Sequence, residues 1–421
     1  MLKRGLALLF KNRDFGLLMS SQFAAQAGDG IVQAALAKLI AFGNQKGFDL
    51  EGARTPDELL AIALYLFVPY TIISPFLGVV IDRWDRRRLL FLANGLRGIV
   101  LLVIAGIGTG TVPEVALFLA FLLTLASTRV VLATKAAAIP ATLEGGSLVE
   151  ANAVSQLGGA LFQLGGAGAA IIASGFLSTE PIVLVGALVY IAGAVVSLLI
   201  RHAGEERVAS TLWQEIASVV RNIVAGVQEV ARTAKAGAAI TTYFWLRLLW
   251  SFSIVGISFI ARELLADDDL KIVALTGGAG AVGAGLGFLS AAMFTARVKT
   301  TGRLVLASSS LAGVAVLVLG PVEASASLAV MTFFLGFGFF LGKISLDTMV
   351  QEALGDNFRG RAFSLYDIAY NIAWVAAATI MQLFWTDAVQ GVLLAAMGAV
   401  FLAGLAALGA WYKRAGLLAA S

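Results

Sequence analysis

The chain has 421 residues, of which 59% are hydrophobic and only 13% are charged, and its formal net charge is +4. A soluble protein carries about a quarter charged residues, so this composition predicts many membrane-spanning segments. There is no cysteine, which excludes disulfides and thiolate metal sites. The one histidine, His202, follows Arg201 at the end of an apolar run, so a histidine-based triad or multi-histidine zinc site is not expected. The basic residues are spread over short loops, where they indicate membrane orientation rather than nucleic-acid binding.

Segments of about 20 apolar residues are needed to cross about 30 Å of hydrocarbon. Spans 1 to 12 are predicted in chain order at 15–42, 58–81, 88–108, 113–135, 151–176, 181–200, 237–261, 272–296, 303–322, 326–349, 362–385 and 388–411. The start of the chain is basic but has no small-residue cleavage site ahead of Asp29, so we expect it to be retained.

The loops alternate in charge along the chain. With both termini in the cytoplasm, the outer loops hold few cations: Lys46, Arg54, Arg262 and Lys271. The inner loops then hold most of the others, including the cluster from Arg83 to Arg88. This distribution follows the positive-inside rule, so we expect both termini to be cytoplasmic.

The longest polar segment, residues 201–236, lies between spans 6 and 7 and carries apolar residues at helical spacing from Leu212 onward. That pattern predicts an amphipathic helix on the inner membrane face. A short repeat relates the two sides of this linker, because RLLFLA opens span 3 at Arg88 and RLVLAS opens span 9 at Arg303. Three parts are therefore predicted: an N-terminal six-helix bundle, 1–200, a cytoplasmic linker, 201–236, and a C-terminal six-helix bundle, 237–421.

The loop after span 2 reads GVVIDRWDRRRLL from Gly78 to Leu90. An ordinary stop-transfer cluster would explain its arginines alone. The full spacing resembles the signature loop between the second and third helices of the major facilitator superfamily, although the family usually has Gly where this chain has Asp85. The resemblance implies an all-α membrane protein with twelve transmembrane helices in two pseudo-symmetric bundles. It also implies a cytoplasmic gate, formed by Gly78, Asp82, Arg83, Arg86 and Arg87.

Shorter motifs resemble particular branches of this superfamily. The stretch QFAAQAGDGI, residues 22–31, resembles the first helix of the drug, macrolide and siderophore exporters. The same stretch, with LANGLR from Leu92 and LVEAN from Leu148, resembles bacterial lysophospholipid transporters. These resemblances imply a secondary active transporter of a bacterial-type inner membrane that works by alternating access.

Charged residues inside apolar spans cost at least about 2.5 to 3.5 kcal/mol each, so we expect them to face a cavity or a partner. They are Asp29 and Lys38 in span 1, Arg97 in span 3, Arg129 in span 4, Arg247 in span 7, Lys343 and Asp347 in span 10, and Asp367 in span 11. Lys343 and Asp347 are one turn apart, so they either neutralise each other or face the cavity.

Asp29 lies roughly 20 Å into the bilayer at about 1.5 Å per helical residue, beyond the reach of its short side chain to water. It either forms a structural ion pair with Arg97 or Arg129 or exchanges protons during transport. The resemblance to the exporters makes Asp29 the candidate for proton coupling. Asp367 is a second candidate.

Spans 7 and 11 carry aromatic residues among few polar groups, which favours a cavity for an amphipathic organic compound over one for a sugar or an ion. The candidate cavity residues are Tyr243, Trp250, Tyr366, Tyr370 and Trp374. Aromatic belts at the two membrane interfaces are the alternative explanation.

The predicted function is proton-coupled export of an amphipathic small molecule by a monomer. Its partners are the lipid bilayer, the substrate and protons, with no nucleic acid, metal or cofactor. Lysophospholipid transport is an alternative, because the intramembrane basic residues can hold a phosphate. A non-transporting receptor or scaffold is an alternative of another class. An enzyme is not expected, since no nucleophile, metal or cofactor motif is present.

Overall fold

The computed structural model describes residues 2–42, 84–143, 148–201, 212–264, 277–298, 300–322, 324–354, 356–386 and 389–419. Within these ranges the chain forms thirteen α-helices: α1 Leu2–Lys11, α2 Arg13–Phe42, α3 Arg86–Ile107, α4 Glu114–Thr142, α5 Leu148–Ser174, α6 Thr179–Leu198, α7 Leu212–Arg232, α8 Ala234–Leu264, α9 Ala279–Arg297, α10 Thr301–Leu319, α11 Ser325–Ala353, α12 Asp356–Phe384 and α13 Gln390–Arg414.

The predicted spans agree closely with these helices. Span 2 lies outside the described residues, and each of the other eleven coincides with one helix. Among the described helices, eight are long and apolar enough to cross a membrane. The predicted class, an all-α membrane protein, is therefore confirmed.

Two helices lie outside the spans. The predicted linker helix is present as α7, and α8 begins two residues after it ends. The sequence analysis missed α1, which precedes α2 with only Asn12 between them. Ten residues are too few to cross a bilayer, so a search for spans does not detect α1.

Helix α3 exposes apolar side chains and buries a charged one, which is the pattern that a membrane imposes. Large apolar side chains are exposed along one face of it: Leu92, Leu96, Ile99, Val103 and Ile107. The opposite face buries Arg97, which is fully inaccessible. A soluble protein rarely exposes so continuous an apolar stripe. The apolar face is therefore the one suited to lipid.

Contacts divide the described residues into two compact units, with the division inside α7 after Val219. In the N-terminal unit, α2 is central, packing on α4, α5 and α6, and α3 packs on α4 and α6. In the C-terminal unit, α8 packs on α11, α12 and α13, and α11 packs on α9 and α10. The predicted bundle limits at 200 and 237 stay a prediction.

Two apolar clusters fill the N-terminal unit. On α2 one cluster includes Phe15 and Met19, and the other includes Val32 and Leu36. Helices α3 and α4 contribute to both clusters in the same way. A layer of each helix, between the two clusters, is left for polar side chains, and on α2 it contains Asp29.

Candidate functional site

The polar layer of the N-terminal unit is built on an ion pair between Asp29 of α2 and Arg97 of α3. Arg97 Nη1 lies 2.7 Å from Asp29 Oδ1, and both side chains are buried, at 0% and 1% exposure. The sequence left open whether Asp29 pairs with Arg97 or Arg129. Arg97 is the arginine that contacts it, while Arg129 lies half-buried on α4.

Three further side chains complete this cluster. The hydroxyls of Tyr190 and Thr128 each donate to Asp29 Oδ1 at 2.8 Å. Arg97 Nη2 donates to Asn94 Oδ1 at 2.5 Å. The guanidinium carbon of Arg97 lies 3.9 Å from the ring centroid of Tyr190. Each charge therefore has hydrogen-bonding partners, which a buried ion pair needs to offset its desolvation.

Glycines next to Asp29 and Arg97 let the helices approach one another. A Cβ on Gly28 would lie 2.7 Å from the ring of Tyr190, and one on Gly98 would lie 2.8 Å from Ile191. A Cβ on Gly30 would overlap the backbone of Gln163 on α5. The sequence Gly-Asp-Gly thus serves close packing on both sides of the carboxylate.

A second polar group in the same unit links α2 to α5 and α4. Gln22 Nε2 donates to the backbone oxygen of Ser155 at 2.7 Å, and Ser155 Oγ donates back to Gln22 Oε1 at 2.8 Å. Lys135 donates to the same hydroxyl. Lys135 is the last residue of predicted span 4, but α4 continues beyond it to Thr142 and buries it. Gln22 and Asp29 of the QFAAQAGDGI motif thus both bind residues of their own unit.

The C-terminal unit buries a different kind of cation. Arg247 lies near the middle of the membrane-crossing part of α8, Ala234–Ala261, and is 6% exposed. Its guanidinium carbon lies 3.8 Å from the ring centroid of Tyr370, 5.5 Å from that of Phe339 and 5.7 Å from that of Trp374. The Nε atoms of Arg247 and of Arg97 both have no hydrogen-bond partner among the described residues.

The aromatic rings lower the cost of this buried charge only in part. A cation over an aromatic face gains about 2 kcal/mol when it is shielded from water. Burying an ion costs several kcal/mol even after the protein relaxes around it. The contacts that the described residues provide therefore leave Arg247 with less compensation than Arg97 receives.

The predicted cavity aromatics lie on α8, which also carries Arg247, and on α12. The rings of Tyr243 and Tyr366 are 4.4 Å apart between centroids, which joins α8 to α12. Trp250 packs on Phe339 of α11 at 4.7 Å. Tyr370, Trp374 and Phe339 form an aromatic wall around Arg247. All five predicted aromatics thus lie in one unit, but they do not form a single group. Tyr370 and Trp374 contact the cation, Trp250 packs on Phe339, and Tyr243 and Tyr366 pack on each other.

The other predicted intramembrane charges differ in their surroundings. Lys343 Nζ lies 2.5 Å from Asp347 Oδ2 one turn along α11, and these side chains are 35% and 24% exposed. That contact is the mutual neutralisation that the sequence left open. Asp367 belongs to α12, but its side chain lies outside the described residues.

The predicted gate is only partly described. Gly78, Asp82 and Arg83 lie outside the described residues, and Arg86 opens α3. Arg87 Nη1 donates to the backbone oxygen of Ile200 at 3.4 Å, which ties α3 to the end of α6. Asp85, the departure from the family pattern, caps α3 by accepting the N–H of Arg88 at 2.8 Å. A carboxylate suits the positive end of a helix.

Sequence reasoning missed Tyr190, Thr128 and Asn94 as members of the ion-pair cluster. Two of them had a local signal, since Asn94 precedes Arg97 by one helical turn and Thr128 is next to Arg129. Tyr190 had none, because a tyrosine in an apolar span also suits lipid or core. Its contact with Asp29 joins residues 161 positions apart.

The fold and the buried charges together define a polytopic helical membrane protein of transporter type. Residues 6–378 match the family described as Major Facilitator Superfamily. The chain belongs to this family, and it is a membrane transporter of that type.

Named relatives agree with this assignment. An uncharacterized MFS-type transporter of Mycobacterium tuberculosis is 25% identical over 93% of this chain and 90% of its own length. A Bacillus subtilis protein provisionally named as the bacilysin exporter BacE is 22% identical over 79% of this chain and 81% of its own length.

Solved structures share the fold. A peptide transporter POT in complex with sulfate has a TM-score of 0.70 at 14% identity, over 97% of this chain and 96% of its own. The nucleoside transporter NupG has a TM-score of 0.66 at 12% identity, over 96% of this chain and 99% of its own. At such identities the likeness concerns the fold alone.

Proposed function

We propose that this protein is a secondary active exporter of an amphipathic small molecule, driven by protons and working by alternating access. The observation that carries the proposal is the buried Asp29–Arg97 pair in a transporter of this superfamily. The relative named as an exporter supports the outward direction. The motif resemblances favour the drug, macrolide and siderophore branch, with lysophospholipid transport as the second candidate.

Asp29 is the proposed proton-exchanging group. Protonation of its carboxyl removes the charge that Arg97 neutralises, and the donors Tyr190 and Thr128 then lose a charged acceptor. A proton on Asp29 therefore changes how strongly α2 is held to α3, α4 and α6. Such a change can bias two conformations of a transporter, because ligands shift an equilibrium by binding the two states differently. Asp367 is the proposed second proton site.

The test is Asp29→Asn in proteoliposomes, with neutral, cationic and anionic amphipathic dyes and an imposed pH gradient. The amide keeps the shape and one acceptor but does not titrate. We expect exchange of dye at equal pH to persist and accumulation driven by the gradient to be lost. A stable variant that still concentrates dye would remove Asp29 from the coupling mechanism.

A purely structural ion pair gives a different result. Asp29→Asn then leaves Arg97 buried without a countercharge, at a cost of roughly 3 to 5 kcal/mol. The purified variant would unfold at lower temperature, and adding Arg97→Gln would restore much of the loss. A receptor or scaffold would fold normally and show no dye flux in any variant.

The proposed setting is the inner membrane of a bacterium, with a monomer whose bundles, 1–200 and 237–421, are joined by a cytoplasmic linker. The topology can be tested separately from transport. A reporter after Ser421 or near Glu206 is expected in the cytoplasm, and one near Asp268 outside. External labelling at Glu206 would contradict both the orientation and the two-bundle division.

A further inference from the structure

Arg247 is a buried cation for which the described residues provide aromatic faces but no ion pair. Its position near the middle of a membrane-crossing helix places it far from both water interfaces. Arg97, which is 0% exposed against 6% for Arg247, has a carboxylate at 2.7 Å. Buried charges in proteins are paired or bind a ligand. Among the described residues, Arg247 therefore has the environment of a buried cation that still lacks a countercharge.

The orientation of the guanidinium leaves it able to bind such a partner. A ring centroid 3.8 Å from its central carbon means that Tyr370 covers one flat face. The N–H groups of a guanidinium point outward in its plane, so stacking on a face leaves them available. Their fork matches the two oxygens of a carboxylate or phosphate.

Other polar groups on the same helices also have no partner among the described residues. Ser251 lies one turn after Arg247 on α8, is fully buried, and its Oγ makes no hydrogen bond there. Asn371 follows Tyr370 on α12, is 1% exposed, and its Oδ1 is likewise unsatisfied. Buried polar atoms normally have hydrogen bonds. Ser251 and Asn371 thus have hydrogen-bonding capacity that the described residues do not use.

We propose that Arg247 binds an oxyanion, a carboxylate or a phosphate, carried by the transported molecule. The apolar body of that molecule lies against the aromatic wall of Tyr370, Trp374 and Phe339. The substrate class is therefore an amphipathic organic anion. This inference rests on the proposed function, since it assigns the aromatic wall to the substrate.

Two sources can provide this chemistry, so the test has two arms. Purified protein is heated with N-acetyltryptophan or with its carboxamide, which differ in the carboxylate. In the second arm it is heated with lysophosphatidic acid or with the monoacylglycerol of the same chain, which differ in the phosphate. Binding raises the unfolding temperature by mass action. We expect the anionic member of at least one pair to bind tenfold or more tightly than its neutral counterpart.

The variant Arg247→Gln should abolish this difference within each pair. Lys235→Gln is the matched control, because it removes a cation from the same helix at a partly exposed ion pair with Glu352. The control should keep the preference for the anionic member. Stabilisation in the carboxylate arm alone indicates a small organic acid, and stabilisation in the phosphate arm alone indicates a lysophospholipid.

A second measurement separates ligand binding from a structural role. Without ligand, Arg247→Gln should unfold at the same temperature as the unmodified protein or at a higher one, because it removes a poorly compensated buried charge. A large drop, like that expected for Arg97→Gln, would show a structural role and overturn the inference.

Some binding results would contradict this inference and leave the proposed transport function intact. Equal stabilisation by both members of each pair, or an anion preference that survives Arg247→Gln, would overturn the inference and leave transport of an uncharged molecule intact. No stabilisation by either anion would also overturn it. Loss of dye flux in proteoliposomes, by contrast, concerns the proposed function alone.

Discussion

The two units of this transporter each bury an arginine inside a helix bundle, and they treat it differently. Arg97 has a carboxylate, a hydroxyl, an amide oxygen and a tyrosine ring around it. Arg247 has three aromatic rings and no ion pair among the described residues, while the Nε atoms of both arginines are unsatisfied there. The comparison teaches that burial alone does not assign a role to an intramembrane charge. The partners do: an internally neutralised charge can hold helices together or exchange a proton, and a charge to which the described residues offer no countercharge is available to a ligand.

The largest expected effect is loss of the N-terminal ion pair. Arg97→Gln leaves the Asp29 carboxylate buried without its cation, which costs about 3 to 5 kcal/mol. Thermal unfolding of the purified protein measures this, with Arg247→Gln as the parallel variant. If both substitutions lowered stability equally, the contrast between the two arginines would be lost.

The hydroxyl of Tyr190 provides a finer test of the same pair. Tyr190→Phe keeps the ring over Arg97 and removes one hydrogen bond to the charged carboxylate, for an expected loss of about 1.5 to 3 kcal/mol. The comparable change in the other unit, Tyr370→Phe, keeps the ring that stacks on Arg247 and should change the unliganded stability little. Equal losses would indicate that the tyrosine hydroxyls contribute through other contacts.

Close packing next to Asp29 predicts an effect of intermediate size. Gly30→Ala puts a methyl group into the backbone of Gln163, and overpacking of this kind costs about 1 to 3 kcal/mol. Gly165→Ala, on the helix that faces Gly30, meets no atom within 4 Å and is the control. A tolerated Gly30→Ala would mean that α2 and α5 are farther apart than the structure places them.

The smallest effect is expected at the partly exposed pair of α11, Lys343 and Asp347. Lys343→Gln removes an ion pair between residues one helical turn apart, whose side chains are partly solvent-accessible. The expected loss of unfolding free energy is therefore about 0.5 kcal/mol or less. Unfolding temperature at low and high salt measures the contribution, because salt screens exposed charges more than buried ones. A loss as large as that for Arg97→Gln would place this pair with the structural charges.

The sequence predicted the helices well and the contacts poorly. Long apolar runs predicted eleven of the spans that the structure describes as helices, and their charges indicated which positions needed partners. It did not distinguish Arg97 from Arg129 as the partner of Asp29. It also assigned the glycines no role next to Asp29, where Gly28 and Gly30 allow α6 and α5 to approach.

What the sequence alone determined was the class of protein and the inventory of buried charges, because hydrocarbon requires long apolar helices and makes each charge inside them conspicuous. Which charge meets which partner was decided only by the tertiary structure. Asp29, Arg97, Thr128 and Tyr190 come from four helices, and their meeting depends on helix rotation and spacing that no local pattern encodes. The same reason explains Arg247: its sequence surroundings resemble those of any buried arginine, and only packing against α11 and α12 shows aromatic rings where Arg97 has a carboxylate.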